Sequence, residues 1–207
     1  MLAELTEASR TAAGQRYAAA TREDSLIQRA KKGDPQAFNE LVLEHQDAVY
    51  RQAYWITGQK EAAEDAAQEA FFLAYQKLHT FRGGSFRAWI VAIALHASID
   101  QYRRTGKHAL ISLDAFEENE RAPTWSHHQS GTPEQMLEES CRRSAIIQAL
   151  MQLPMEARMP IILIDIQEFD YQTAAHMLRI PLGTLKSRLV RARLRLLETC
   201  RQFPEAN

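Results

Sequence analysis

Apolar residues recur at helical spacing along nearly the whole chain, and no period-two alternation bounded by turn residues replaces them. That periodicity predicts an all-α fold and needs no strand. Its 207 residues suffice for one large or two small cored domains, and 45% hydrophobic with 25% charged residues excludes disorder throughout. The apolar run Trp89 to Leu95 falls far short of the ~20 residues that a membrane-spanning helix needs. Residues 1–22 carry Glu4, Glu7, Arg10 and Arg16 and lack the apolar core of a secretory signal, so a cytoplasmic location is expected.

Punctuation divides the periodic pattern. Asp24 or Ser25 is positioned to cap a short helix ending at Gly33, and Asp34 with Pro35 is a cap followed by a first-turn proline. The helix they open runs to about Thr57 with a stripe of Phe38, Leu41, Val42, His45, Val49, Ala53 and Ile56, and Gly58 stops it. A third helix, Lys60 to Leu78, carries Ala63, Ala67, Ala70, Phe71, Ala74 and Leu78 on one face. Thr80 to Ser85 is a loop, after which Ser85 caps a fourth helix burying Phe86, Trp89, Ile90, Ile93, Ala97 and Tyr102. From Thr105 to Gly131 the periodicity fails, and Gly, Pro, Ser, Asn and the acidic Glu117, Glu118 and Glu120 mark a flexible, solvated linker. The predicted organisation is thus an extension over 1–22, a helical domain over 23–104, a linker over 105–131 and a second helical domain over 132–207. Within the second domain Pro160 predicts a late helix start or a kink. Asp170 caps a short helix through Leu178, Arg179 to Pro181 turn the chain, and a long basic helix runs from about Leu182 to Cys200.

Charge is segregated although the net value is −1. Residues 179–201 hold seven cations against Glu198 alone, and residues 82–104 hold four arginines against Asp100, on a chain whose remainder is acidic. Such polarity suits two kinds of partner. Two helices joined by a three-residue turn, the second with cations on one face, describe a helix-turn-helix whose second helix enters a major groove. Leu178, Ile180, Leu185, Leu189, Leu196 and Leu197 form its packed side, leaving Thr184, Lys186, Ser187, Arg188 and Arg191 for bases and phosphates, with Arg195 and Arg201 too far along to read bases.

The segment LPMEARMPIILIDIQEFDYQTAAHMLRIPLGTLKSRLVRARLRL, residues 153–196, resembles region four of extracytoplasmic-function (ECF) sigma factors, small bacterial transcription initiation subunits. Residues 62–104, AAEDAAQEAFFLAYQKLHTFRGGSFRAWIVAIALHASIDQYRR, resemble their region two. The resemblance implies that region two binds core RNA polymerase and the minus-ten promoter element while region four reads minus-thirty-five. An anti-sigma regulator is implied as a further partner.

The residues permit each role. Glu61, Asp65, Gln68 and Phe72 recur at i, i+4, i+7 and i+11 beside Glu64 and Glu69, a polar face with one exposed aromatic suited to polymerase. Promoter opening requires a loop able to receive an unstacked base next to a cationic helix. Arg82, Gly83 and Ser85 in the loop, and Arg87, His96, Arg103 and Arg104 on the following helix, occupy that place; His96 stands where the family pattern has asparagine. Glu168 and Arg179 replace glycines common in the family, and Arg179→Gly is expected to stabilise the domain slightly.

Other classes are less well supported. A stand-alone helix-turn-helix regulator binds paired half-sites as a dimer, and no dimerisation coiled coil is legible here. No convergent acid, base or nucleophile set supports an enzyme. No cofactor or metal site is expected: Cys141 and Cys200 lack ligand spacing and read as reduced thiols, His127 and His128 are adjacent, and His45 on the apolar stripe reads as a packed core residue.

Overall fold

The computed structural model describes residues 21–105, 146 and 148–200. Helices account for nearly all of them, and no strand occurs among the described residues. In chain order they are α1 (21–31), α2 (Pro35–Thr57), α3 (Lys60–Lys77), a 3-10 turn (Leu78–Thr80) and α4 (Phe86–Thr105). A helical stretch α5 (148–152) follows, then α6 (Met155–Ile161) running into a π-helical segment (Ile162–Ile166), α7 (Tyr171–Leu178) and α8 (Leu182–Cys200). The expected linker, His127, His128 and Cys141 lie outside the described residues.

Local chemistry sets the boundaries. Asp34 Oδ1 accepts from the backbone N–H groups of Gln36 (3.0 Å) and Ala37 (3.2 Å). Pro35 follows it where no intrahelical donor is needed. Gly58 ends α2 in the left-handed region at φ +70°. Ser85 caps α4, its hydroxyl accepting from Ala88 N–H at 3.1 Å. At α1 the expectation fails: the helix is already formed at Thr21, so Asp24 and Ser25 lie inside it rather than capping it.

Helices α2, α3 and α4 pack mutually, and α1 adds Leu26, Ile27 and Ala30 to their core. Alanines at 63, 70 and 74 are fully buried and let α3 approach its neighbours closely. Phe86 and Trp55, each 1% exposed, are among the largest side chains enclosed. Full burial of a side chain of this kind contributes about 2–3 kcal/mol. In the C-terminal unit Leu185, Leu189 and Ala192 seat α8 against Ile161, Ile162, Leu163, Ala174 and Met177.

The helix through Pro160 starts at Met155, earlier than the expected late start. Proline removes one donor from the ladder, and just beyond it the carbonyl of Ile162 pairs with Gln167 N–H, five residues on, at 2.8 Å. The widened turn replaces a simple kink.

The two units dock. Gln167, 2% exposed, donates its amide N–H to the Ala48 carbonyl at 3.3 Å. Arg158, 5% exposed, donates to the carbonyls of Ile56 (3.3 Å), Met151 (2.6 Å) and Leu153 (3.0 Å). From Ala48 to Gly58 only Arg51 of α2 stays partly exposed: Tyr50, Ala53 and Tyr54 cluster with Ala63 and Ala66 of α3, while the carbonyls of Ala48 and Ile56 meet the C-terminal unit.

Candidate nucleic-acid interface

Helices α7 and α8 form the expected helix-turn-helix. Asp170 Oδ1 accepts from Gln172 and Thr173 N–H, both at 2.9 Å, and its Oδ2 accepts from the Thr173 hydroxyl. These bonds hold the Asp170 carboxyl below its usual pKa, the hydroxyl contributing most. Arg179 ends α7 in the left-handed region at φ +54°, and Pro181 delivers the chain into α8. Because Leu185, Leu189 and Ala192 face the core, the opposite side of α8 faces out. Lys186, Ser187 and Arg191 are exposed there, with Thr184 and Arg188 half-buried at its edges. Ser187 Oγ donates to the Thr184 carbonyl at 3.0 Å, and Arg191 Nε donates to the Ser187 carbonyl at 3.2 Å. Lys186 Nζ stands 6.0 Å from the Tyr171 ring centre.

Leu197 was expected on the packed side but is 57% exposed. It lies about 100° round the helix from Leu196, in line with exposed Val190 and Leu194 at i, i+4 and i+7. That apolar row along the outward side was missed, although the same helical spacing carries it. Arg193 is withdrawn from the outward set by a bidentate pair with Asp165, its Nε at 3.1 Å from Oδ2.

In the N-terminal unit, Arg82 and Ser85 are exposed, and Gly83 (φ +103°) and Gly84 (φ +89°) take backbone conformations that L side chains rarely adopt. A buried Phe81 anchors the loop, with ring centres 5.5 Å from both Phe86 and Trp89. His96 is half-buried, its Nδ1 2.7 Å from the Ala92 carbonyl, while Arg103 is exposed on the same side, 3.7 Å from Asp100. Arg87 is not gathered with them. It lies on the opposite side of α4, where its guanidinium donates to the Gln167 carbonyl (3.1 Å) and side-chain oxygen (2.8 Å). It also stands 4.6 Å from the Phe169 ring centre. Arg104 is exposed.

Glu61, Glu64, Asp65, Gln68 and Glu69 are all exposed on α3, and Phe72 is 58% exposed. Tyr75, three residues on and 49% exposed, extends the apolar spot; its ring packs edge-on against Phe38 at 5.0 Å. Its i+3 spacing from Phe72 was the available signal. His45 is 8% exposed and sits within 4.8 Å of carboxylate oxygens of Glu23 and Glu44. Ordinary pairing accounts for the cluster, with His45 Nε2 2.9 Å from Glu23 and Arg22 3.7 Å from Glu44. Burial pushes the Cys200 thiol pKa up, the opposite of an activated thiolate. Among the described residues no helix is long and apolar enough to cross a membrane.

Residues 41–108 match the Sigma-70 region 2 family, and residues 143–196 match Sigma-70 region 4. The ECF RNA polymerase sigma-E factor of Escherichia coli K12 is 31% identical over 172 residues, 81% of this chain and 88% of that protein. The chain belongs to the ECF sigma-factor family. It is therefore a DNA-binding transcription initiation factor of RNA polymerase. The ECF RNA polymerase sigma factor SigE of Mycolicibacterium smegmatis is 33% identical over 161 residues; the match covers 77% of this chain and 60% of that longer relative. A solved structure of the Bartonella quintana sigma factor RpoE with the anti-sigma factor NepR superposes with a TM-score of 0.59 at 26% identity. It covers 79% of this chain and 96% of that one.

Proposed function

We propose that this sigma factor divides its work among three surfaces. The acidic α3 face of Glu61, Glu64, Asp65, Gln68, Glu69 and Phe72 seats on core polymerase. The loop residues Arg82, Gly83 and Ser85, with His96, Arg103 and Arg104 of α4, engage the minus-ten element and assist its melting. Arg87 joins them once its contact with Gln167 opens. Thr184, Lys186, Ser187, Arg188 and Arg191 of α8 bind the minus-thirty-five element. An anti-sigma factor is the regulatory partner, the cytoplasm the site of action, and no residue of the chain performs catalysis.

One observation carries the reading: α8 follows a three-residue turn with Leu185, Leu189 and Ala192 buried beneath it and Lys186, Ser187 and Arg191 outward. A helix so mounted presents polar and cationic groups to a groove while its own fold is secured from the other side. Region 2 alongside it disfavours a stand-alone regulator.

The test is multi-round transcription with purified bacterial core polymerase, with and without the chain, on a fragment library sequenced at transcript starts. New starts sharing two upstream elements at fixed spacing are expected. Specific duplex binding by the chain alone, with no new starts, would instead identify a regulator that works without polymerase.

A further inference from the structure

Beside the outward side of α8 lies a cavity of about 300 Å³. Its wall consists of Arg188, Arg191, Ala192 and Arg195 from α8 and of Pro154, Glu156 and Ala157 at the start of α6. Three arginines face one glutamate there, a net charge of +2. The spacing i, i+3, i+7 puts all three on one flank of the helix. Among the described residues none of them forms an ion pair, whereas their neighbour Arg193 is committed to Asp165. Three guanidinium groups around an open recess suit an anion, and their planar forks match phosphate oxygens.

The flank is distinct from the side that faces straight out. Gly183, Val190 and Leu194 project about 100° or more from Arg188 and Arg195, Ser187 about 80° or more, and Arg191 stands between the two directions. A helix lying in a major groove points its outward side at base edges and its flanks at the sugar-phosphate walls.

We propose that Arg188, Arg191 and Arg195 form a phosphate clamp that holds the DNA backbone beside the upstream element. Base choice then belongs to Lys186, Ser187 and Val190, with the Val190 methyls placed for a thymine methyl. This rests on the reading of α8 as the minus-thirty-five helix. It gives Arg195, beyond the reach of base edges, a part in DNA binding, and it makes Arg188 a positioning residue.

The experiment uses holoenzyme assembled from the full chain and purified bacterial core polymerase. The probe is a duplex pool randomised over the upstream element, bound between about 50 and 200 mM salt and sequenced. Arg195→Gln is expected to weaken binding to all selected sequences by a common factor. It should also reduce the slope of log affinity against log salt by about 0.9, one phosphate contact, with the selected bases unchanged. Arg195→Lys, which keeps the charge, should restore most of that slope. Lys186→Ala and Val190→Ala should change the selected bases instead. Melting curves identify any variant that fails to fold, and Arg188→Gln then provides the second reading of the clamp.

Altered base choice in Arg195→Gln or Arg188→Gln, or an unchanged salt slope in both, would overturn the clamp while leaving α8 as the reading helix. No sequence selection by the unmodified holoenzyme would overturn the α8 reading itself. Titrating inorganic phosphate into the full chain at constant ionic strength distinguishes the two phosphate sources. Saturable shifts of the three arginine Nε–H resonances without DNA would assign the cavity to a free anion and reject the backbone as its occupant.

Discussion

Arg87 of α4 grips Gln167 of the C-terminal unit through both the backbone carbonyl and the side-chain oxygen of that one residue. Burial lowers the Arg87 pKa, and nearby Arg51 lowers it further while Glu168 opposes the shift; the group still carries its charge at neutral pH. Gln167 in turn donates to Ala48, so a single glutamine bridges α2 and α4. Charge-assisted bonds of this kind contribute about 1.5–3 kcal/mol. The docked body is about 40 Å across for its residue number. Promoter elements some 25 base pairs apart are separated by about 85 Å along B-DNA. If the two units read two such elements at once, as proposed, the Arg87–Gln167 contact must open.

A donor and acceptor dye pair at exposed positions 36 and 198, outside the proposed contact surfaces, reports that opening. Transfer should be high in the free chain and fall when core polymerase and promoter DNA are added. Arg87→Ala should lower it in the free chain, because the docking loses its charged bonds. Equal transfer in the free and promoter-bound chain would show that docking persists during promoter recognition.

The docking surface of α2 contains a polar group without a partner. Ala48, Gln52 and Ile56 recur at i, i+4 and i+8, and the carbonyls of Ala48 and Ile56 accept bonds from Gln167 and Arg158. Gln52 between them is 0% exposed, and among the described residues neither its amide nitrogen nor its oxygen has a hydrogen-bond partner. A buried unsatisfied amide costs about 1–3 kcal/mol. Gln52→Met, of similar volume, should raise the midpoint of urea unfolding; a lower midpoint would mean that the amide is satisfied in solution.

Much of this was legible in the sequence because short-range chemistry carries it. Asp34 with Pro35, Gly58, Ser85 and Asp170 each mark a helix end through bonds made within a few residues, and each marks it in the structure. The outward set on α8 follows from the period of Leu185 and Leu189. What the sequence concealed depends on the distant unit. Arg87 reads as one more cation after a loop, and nothing within ten residues reveals that Gln167, eighty positions on, accepts its bonds. For the same reason the stripe on α2 leaves out Ala48, whose carbonyl accepts from Gln167 across the linker. The roles of α3, α4 and α8 toward polymerase and DNA come from the family resemblance; the residues themselves offer suitable surfaces.

Glu168 and Arg179 are the two non-glycine residues with positive φ among the described residues, at +58° and +54°, a backbone region that glycine adopts without penalty. A left-handed conformation costs a side-chain-bearing residue about 1–2 kcal/mol, partly offset in a glycine variant by its larger unfolded-state entropy. Arg179→Gly should thus raise the melting temperature of the C-terminal unit by a few degrees, for a net of about 0.5–1 kcal/mol. Glu168→Gly should gain less, because Glu168 also attracts Arg87. A melting temperature of Arg179→Gly at or below that of the unmodified chain would contradict the account.

Acid should weaken both units through their helix caps. Backbone N–H of Ala37 and then the Arg29 side chain hold the Asp34 carboxyl below its usual 3.8, and the Thr173 hydroxyl and N–H do the same for Asp170. Below pH 4 the unfolded chain binds more protons at these groups than the folded one. Their stabilisation is therefore complete above that pH and lost as pH falls through the lower folded values. Asparagine also caps a helix but does not titrate there. The double variant Asp34→Asn, Asp170→Asn should lose less melting temperature between pH 5 and pH 2.5 than the unmodified chain, and an identical acid slope would count against the caps.

The proposed division of labour predicts opposite defects from two exposed positions. Lys186→Ala and Arg188→Ala should each weaken use of the upstream element while leaving core polymerase affinity intact, since α8 lies in the other unit from α3. Phe72→Ala removes an aromatic ring that is 58% exposed in the free chain and therefore contributes little to its fold. If that ring is buried against polymerase, its loss should cost about 1–3 kcal/mol of binding, roughly a tenfold to hundredfold rise in Kd. The element preferences of whatever holoenzyme still forms should be unchanged. Competition for core polymerase against a second sigma factor measures the affinity, and start-site mapping on the same library measures preference. Loss of polymerase affinity in Lys186→Ala would place a polymerase contact on α8, and unchanged affinity in Phe72→Ala would remove the exposed ring from the proposed polymerase face.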